Sequence, residues 1–586
     1  MIRSALRCTT DGENPGDIDM RKHRRLPGSL LLLHFTFLTL YLLISLPGSN
    51  VAVAENDPTI EMGISEYSKT DQDHAVPSRT GESDSNSTTD HATLKELAGP
   101  FFSGPEVTKA CLECHNRAGE QFIKNKHWTW KYTHPVTKQK LGKSVLVNNF
   151  CTNARGNEGM CAQCHAGYGY KDDSFDFSNQ ENIDCLICHE STGSYYKTPN
   201  SSGNKACSIM FEGKKPIEWA KVAQSVRMPG RNNCGKCHFY GGGGDNVKHG
   251  DLSSALFMPD KNIDIHMDAG GLNFNCVTCH VGEGHEWAGS RYEMTVNDKV
   301  GTGKPGMPRE VATCESCHDA TPHDIASITG NKLNSHTSKV ACETCHIPEI
   351  AKGGVATEVE WDWRTMGKLK DGEGFKLKEY TQGDGKHRAT YKSIKGDFKY
   401  AENINPMYAW FDGAMNYTTI DTKFDPATGP VEINSFSGSA DDPGSRIYPF
   451  KLMKTHQPYD KGNNTLVYME LWGDTDSALW GNYDFAKSIK AGMEKFNLPY
   501  SGEWGFVETH SYWPINHMVA PKDDALACNE CHSSEGRLKH IDGVYMPATG
   551  KNRWLDIIGL LIILGTLAGV LGHAAIRGIA AKRRRS

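Results

Sequence analysis

The sequence predicts a mainly α chain with much irregular structure, folded around covalently attached cofactors and closed by one apolar helix. Three observations predict it. Of 19 cysteines in 586 residues, 16 lie in a Cys-x-x-Cys-His motif that occurs eight times. Between and beyond the motifs, Gly and Pro are frequent and long helical periodicity is scarce. Near the C-terminus, Ile557 to Ile576 is apolar except for His573.

From the N-terminus, RKHRR (Arg21 to Arg25) precedes an apolar run, Leu30 to Leu46. Ala52-Val53-Ala54 follows in the form of a signal-peptidase site, so residues 1–54 are expected to be an export signal. Met20 is a possible true start, which would remove Cys8. Residues 55–97, rich in Ser, Thr, Asp and Gly, read as a disordered tether.

The motifs begin at residue 111. They are Cys111/Cys114/His115, Cys161/Cys164/His165, Cys185/Cys188/His189 and Cys234/Cys237/His238, then Cys276/Cys279/His280, Cys314/Cys317/His318, Cys342/Cys345/His346 and Cys528/Cys531/His532. Each reads as a c-type haem site: two thiols bond the porphyrin and the adjacent His stands under the iron. Zinc knuckles need no His after each second Cys. A disulfide framework needs no fixed spacing of two. Eight covalently bound haems are therefore expected. With so much cofactor in the core, each site is expected on a short helical turn. Residues 98–350 hold seven haems. Residues 351–550 carry the eighth and read as a region that wraps the array, rich in Trp and Tyr, as in EVEWDWRTMG (Glu358 to Gly367).

Residues 555–578 have the length of one membrane-spanning helix. The basic tail, 579–586, should stay cytoplasmic and leave the haem region outside, as a periplasmic domain anchored in the inner membrane. A formal net charge of −6 gives no sign of affinity for nucleic acid.

Of 25 histidines, eight are in motifs, and His23, His34, His74, His91 and His573 fall in the signal, tether or anchor. Twelve remain. A bis-histidine haem transfers electrons but leaves no coordination site for chemistry, so the question is which haem lacks a distal histidine.

The stretches NNFCTNARGNEGMCAQCHAGYGY, HFYGGGGDNVKHGD and YWPINHMVAPK, together with the eight motifs and the anchor, resemble the octahaem tetrathionate reductase family. That family is similar to octahaem hydroxylamine oxidoreductases and multihaem nitrite reductases. The resemblance implies a multihaem cytochrome c fold with its active site at the second haem, Cys161/Cys164/His165. It implies Lys248 as that haem's distal ligand, with Asp245 and Cys151 nearby. It further implies His127, His249, His266, His285, His323, His336 and His517 as the other distal ligands.

An amine binds iron only when neutral, a state that burial and a nearby cation favour. Such a ligand could yield to substrate, and Asp245 could hold the released ammonium. The implied substrate is a small oxidised inorganic anion, tetrathionate being cleaved to two thiosulfates. Cys151 could attack the sulfur–sulfur bond, pack beside the haem, or pair with Cys207. Other readings are nitrite or hydroxylamine reduction, and hydroxylamine oxidation with Tyr545 as the nearest late tyrosine. A third is an electron conduit without substrate. The partner would be a redox protein or a quinol-oxidising membrane subunit.

Overall fold

A computed structural model describes residues 89–147, 152–197, 216–294, 296, 312–473, 475–544 and 552–584. The signal segment, most of the tether, Cys8, Cys151, Cys207 and Tyr545 lie outside the described residues.

The N-terminal half is built from short helices joined by turns. All eight motifs lie on or beside helical turns. These are Gly104–Cys114, Glu158–Cys161 with Ala162–Cys164, Leu186–His189 and Arg231–His238, then Cys276–Cys279, Glu315–His318, Cys342–His346 and Cys528–Cys531. One turn of helix is what the motif needs. It sets the two cysteines three apart on one face, with the histidine just after.

The expectation of a mainly α chain is corrected by the second half. Residues 357–514 carry a nine-stranded sheet. Its strands, numbered within the sheet, are β1 (Thr357–Asp362), β2 (Lys376–Leu377), β3 (Tyr391–Lys392), β4 (Gly396–Ala401) and β5 (Met407–Phe411). β6 (Val431–Glu432), β7 (Arg446–Asp460), β8 (Thr465–Leu466) and β9 (Trp504–Pro514) complete it. The order is β6-β9-β7-β1-β4-β3-β2, with β5 and β8 also paired to β7. β7 runs antiparallel to β9 from Phe450↔Pro514 to Asp460↔Trp504 and parallel to β1 through Thr455↔Trp361.

The sheet escaped the sequence reading for two reasons. Several strands are two residues long, too short to show a period of two. The longest, β7, begins and ends buried on both faces, so apolar and polar residues do not alternate there. Only its middle alternates, with Lys451, Met453 and Thr455 buried and Lys454 exposed between them.

The two halves are tied at β7. Arg446 Nη1 donates to Glu315 Oε1 at 2.5 Å, on the turn of the sixth motif, with both side chains under a tenth exposed. Lys339 and Ala341, just before the seventh motif, exchange backbone hydrogen bonds with Ile447. Removing one partner of a buried ion pair costs roughly 3–5 kcal/mol, because the other charge is stranded. Arg446→Leu is therefore expected to lower the unfolding free energy by that much, read as a fall in the denaturant midpoint. An unchanged midpoint would show the pair to be dispensable.

At the C-terminus, Arg553–Arg583 forms one helix of 31 residues, long and apolar enough to cross a membrane and unburied by the rest of the chain. Asn552 caps it, accepting from the Leu555 amide.

Candidate functional site

The sixteen motif cysteines form no disulfides. Thiols of different motifs approach one another instead. Cys111 lies within hydrogen-bonding reach of Cys185, Cys164 of Cys237, Cys234 of Cys276, and Cys314 of Cys342.

The thiols of the sixth motif have polar neighbours. Cys317 Sγ lies 3.8 Å from the hydroxyl of its neighbour Ser316, and Cys314 Sγ lies 3.8 Å from Glu343 Oε1. The cause is local. The buried Ser316 hydroxyl donates to the Thr313 carbonyl at 2.6 Å, which leaves its oxygen to accept from the Cys317 thiol. A thioether has no S–H, so attachment of haem at Cys317 exchanges this weak hydrogen bond for the covalent one.

The histidines are arranged in facing pairs. Ring centres are 6.2 Å apart for His91 and His115, 6.1 Å for His127 and His238, and 5.8 Å for His266 and His318. They are 6.3 Å apart for His280 and His517, 6.3 Å for His323 and His346, and 6.1 Å for His336 and His532. Every pair couples a motif histidine with one outside the motifs. Two imidazoles bound to one metal at about 2.0 Å each would have ring centres roughly 6 Å apart.

Many of these rings are also oriented from behind. The Nδ1 atoms of His189 and His280 meet the carbonyls of Arg227 and Ala288, each at 2.8 Å. Those of His127 and His323 meet Asn125 and Asn334 side chains, at 2.9 and 3.0 Å. That of His517 meets Asp251 at 3.0 Å. Fixing Nδ1 in this way leaves Nε2 as the lone-pair donor, which is how proteins prepare histidine for a metal. Burial, with nearby cations, pushes His165 and His238 down to about 3, so both rings are neutral. Paired neutral imidazoles above dithiol turns fit haem, and c-type haem in particular.

His91, placed by the sequence in the tether, sits in a 3-10 turn, His91–Thr93, that Asp90 caps. Sequence reasoning passed over it because its neighbours are polar and carry no motif. His285 rests on Phe122 and Trp287 with Nδ1 3.1 Å from Gln121, and it is the histidine that most affects His189 electrostatically. His249 packs on Trp513 at 5.0 Å, with Nε2 3.5 Å from Arg291.

One motif histidine, His165, meets an aromatic nest instead of a second imidazole. Its ring packs against Trp128, Trp130 and Tyr170, and its Nε2 lies 2.6 Å from the Trp128 carbonyl. Beside this second motif, Met160 belongs to a buried cluster with Trp361, Met453 and Trp513, and Cys161 packs against it. Lys248 enters the same cluster. The side chain is 1% exposed, which removes the reading of it as a solvated charge. Its Nζ is 3.7 Å from Met453 Sδ and lies over the rings of Trp361 and Trp513, at 5.9 and 5.8 Å.

The loop that delivers Lys248 grows from the fourth motif. Helix Arg231–His238 runs into the glycine turn, where Gly243 takes φ +87°, a conformation that favours glycine. The Asn246 amide closes the turn onto the Phe239 carbonyl at 2.9 Å. Asp245 is buried, and its carboxylate accepts from the Ser254 amide (2.9 Å) and hydroxyl. Asp251, two residues past His249, holds His517.

Two further residues could not be singled out from the sequence. Lys451, 1% exposed, donates to the carbonyls of Val247 (2.8 Å) and Lys248 (3.1 Å) and to Thr357 Oγ1 (2.5 Å). Glu358 is 3% exposed, and its Oε1 has no hydrogen-bond partner. Burial raises its pKa, against the pull of Lys248, Lys395, Lys451 and Arg388. Both lie on strands far along the chain from the loop they serve, and no local spacing marks them.

Comparison with known proteins gives four matches. Residues 358–535 match the family model of bacterial cytochrome c, and residues 110–190 that of cytochrome c554 and c-prime. An uncharacterised protein of Archaeoglobus fulgidus is 24% identical over 275 residues, covering 39% of this chain and 90% of that protein. The crystal structure of octaheme cytochrome c from Shewanella oneidensis is similar with a TM-score of 0.66 and 38% identity, over 79% of this chain and 97% of that one.

Proposed function

This chain belongs to the octahaem cytochromes c, and from that premise we propose that it reduces a small oxidised anion, tetrathionate foremost, at a second haem that Lys248 guards. As a multihaem c-type cytochrome it carries electrons through covalently bound haem. The observation that supports a reaction site, rather than a conduit, is the burial of Lys248 in the cluster that packs the second motif.

In this reading His115, His238, His280, His318, His346 and His532 each share an iron with the histidine they face. His285 serves His189, and Lys248 serves His165. His91 thus takes the place among the distal ligands that the family resemblance gave to His249, and His249 orients Trp513 and Arg291 beside the site. His91→Ala is expected to turn one low-spin haem high-spin by EPR. An unchanged low-spin count would remove His91 from the set.

The haem, when bound, supplies electrons to the substrate; two of them cleave the central sulfur–sulfur bond of tetrathionate to give two thiosulfates. Lys248 closes the site at rest as a neutral amine. On displacement it takes up a proton, and the faces of Trp361 and Trp513 receive the ammonium. Asp245, engaged with Ser254, shapes the turn that aims the lysine. The contacts between thiols of different motifs sketch the relay: second to fourth, fourth to fifth, first to third, sixth to seventh. The C-terminal helix holds the exported domain at the inner membrane, within reach of a quinol-oxidising subunit or a small redox protein.

The test is turnover of the purified holoprotein with reduced methyl viologen. Tetrathionate should be the best substrate by kcat/KM, ahead of nitrite and hydroxylamine. Faster nitrogen chemistry would overturn the sulfur assignment, and no turnover with any of the three would leave the conduit reading. Retention of full tetrathionate activity in Cys151→Ala would exclude that thiol as a nucleophile.

A further inference from the structure

A cleft open to solvent adjoins the Lys248 loop. Its wall includes six basic residues: Lys376, Lys378, His387, Arg388, Lys392 and Lys395. They are graded by depth. Lys378 and His387 are exposed, Lys376 and Lys392 half-buried, and Arg388 and Lys395 buried. At the inner end the lining is Gly242, Gly243, Gly244 and Val247, with Trp361 and Glu358. Trp361 is the ring on whose face Lys248 Nζ lies, and Val247 is the residue before it.

The basic residues come from β2, β3, the loops beside them and the short strand His387–Arg388, which pairs with Tyr380–Thr381 in a separate hairpin. Nothing in the fold itself calls for five lysine and arginine cations around one opening. Like charges held together repel, and their desolvation costs free energy that a packed apolar wall would avoid. Most of them have partners within the fold; His387 Nδ1 lies 3.0 Å from Thr381 Oγ1. Arg388 Nη2 donates to the Asp245 carbonyl at 2.6 Å, and Lys395 Nζ lies over Trp361 and Trp480 at 5.7 and 5.9 Å. The acidic residue in the wall, Glu358, offsets one of the five lysine and arginine charges and keeps an oxygen free of hydrogen bonds. The lining is therefore net positive.

We propose that this cleft is the entry and holding site for the substrate, and that it selects an oxoanion bearing two negative charges. The proposal rests on the reading of Lys248 as the ligand that substrate displaces, and it deepens that reading. Lys376, Lys378 and Lys392 draw the anion in; such a field raises the encounter rate and weakens with salt. Arg388 and Lys395 then hold it, as donors in a partly dry wall. Trp361 separates this waiting position from Lys248. An anion carrying two charges gains from several cations at once; a neutral molecule such as hydroxylamine gains from none.

The test uses holoprotein and dithionate, a redox-inert sulfur oxoanion with two charges. Calorimetric titration should show one dithionate bound per chain, weakened at least tenfold in Lys376→Glu/Lys378→Glu. In viologen-coupled assays the same variant should lose at least tenfold in kcat/KM for tetrathionate, mainly through KM. Its hydroxylamine rate should stay within twofold, and its EPR spectrum should match the parent's. Unaltered dithionate binding in the variant, or none in the parent, overturns the proposal while any histidine–lysine signal stands untouched. If dithionate binds and the variant weakens it, yet the parent lacks a histidine–lysine signal, the anion site stands and the guarded haem falls.

Discussion

In Lys248→Ala, one of the low-spin haems is expected to become high-spin and to bind carbon monoxide once reduced, while the others keep their spectra. The parent protein, oxidised, should show a histidine–lysine low-spin signal that this variant lacks. The expectation follows from where the side chain goes. Lys248 is 1% exposed, and its Nζ lies among two indoles and a thioether in the cluster that packs the second motif, where a neutral amine would serve a metal as a donor. Truncation to Ala leaves the second haem with His165 alone. If the spectra of parent and variant coincide, Lys248 is no ligand and every haem is a relay. Carbon monoxide makes the same division independently, because permanently six-coordinate haems do not take it up.

The second large effect is expected at Lys451. This buried lysine fastens the backbone at Val247 and Lys248 and the hydroxyl of Thr357 with its three donors. Burial pushes its pKa well down, with Lys248 and Arg388 adding to the effect. Lys451→Met keeps the length of the side chain and removes all three donors. Each buried acceptor left unpaired costs about 1–3 kcal/mol, which the loop recovers by turning its carbonyls toward water. Lys248 moves with it. The variant should therefore fold and hold its full haem complement, and its second haem should be partly high-spin. A normal histidine–lysine signal in Lys451→Met would show that the glycine turn and Asp245 suffice to place the lysine.

The attachment chemistry was fully legible in the sequence, because each haem site is encoded within five consecutive residues. The terminal helix was legible for a similar reason: its signal is a continuous apolar run. Lys248 stood out only through resemblance; by composition it is one more lysine in a glycine loop. What stayed hidden depends on residues far apart in sequence. Lys451 and Val247 are 204 positions apart, and His91 meets His115 across a segment that carries no sign of either. The sheet was hidden because its shortest strands are held in place by neighbours rather than by their own pattern.

Strand β7 has one more implication, for which parts of the gene can change length. From Arg446, which grips the sixth motif's turn, to Lys451, which grips the Lys248 loop, is five residues of extended chain, about 17 Å. Side chains along this stretch alternate in direction, so inserting or deleting one residue would exchange Lys451 for an apolar neighbour, Phe450 or Leu452. Loops elsewhere can lengthen at small cost. Here the spacing works as a vernier between the turn of the sixth motif and the loop that carries Lys248, and divergent copies of this protein should drift everywhere before they drift in that count.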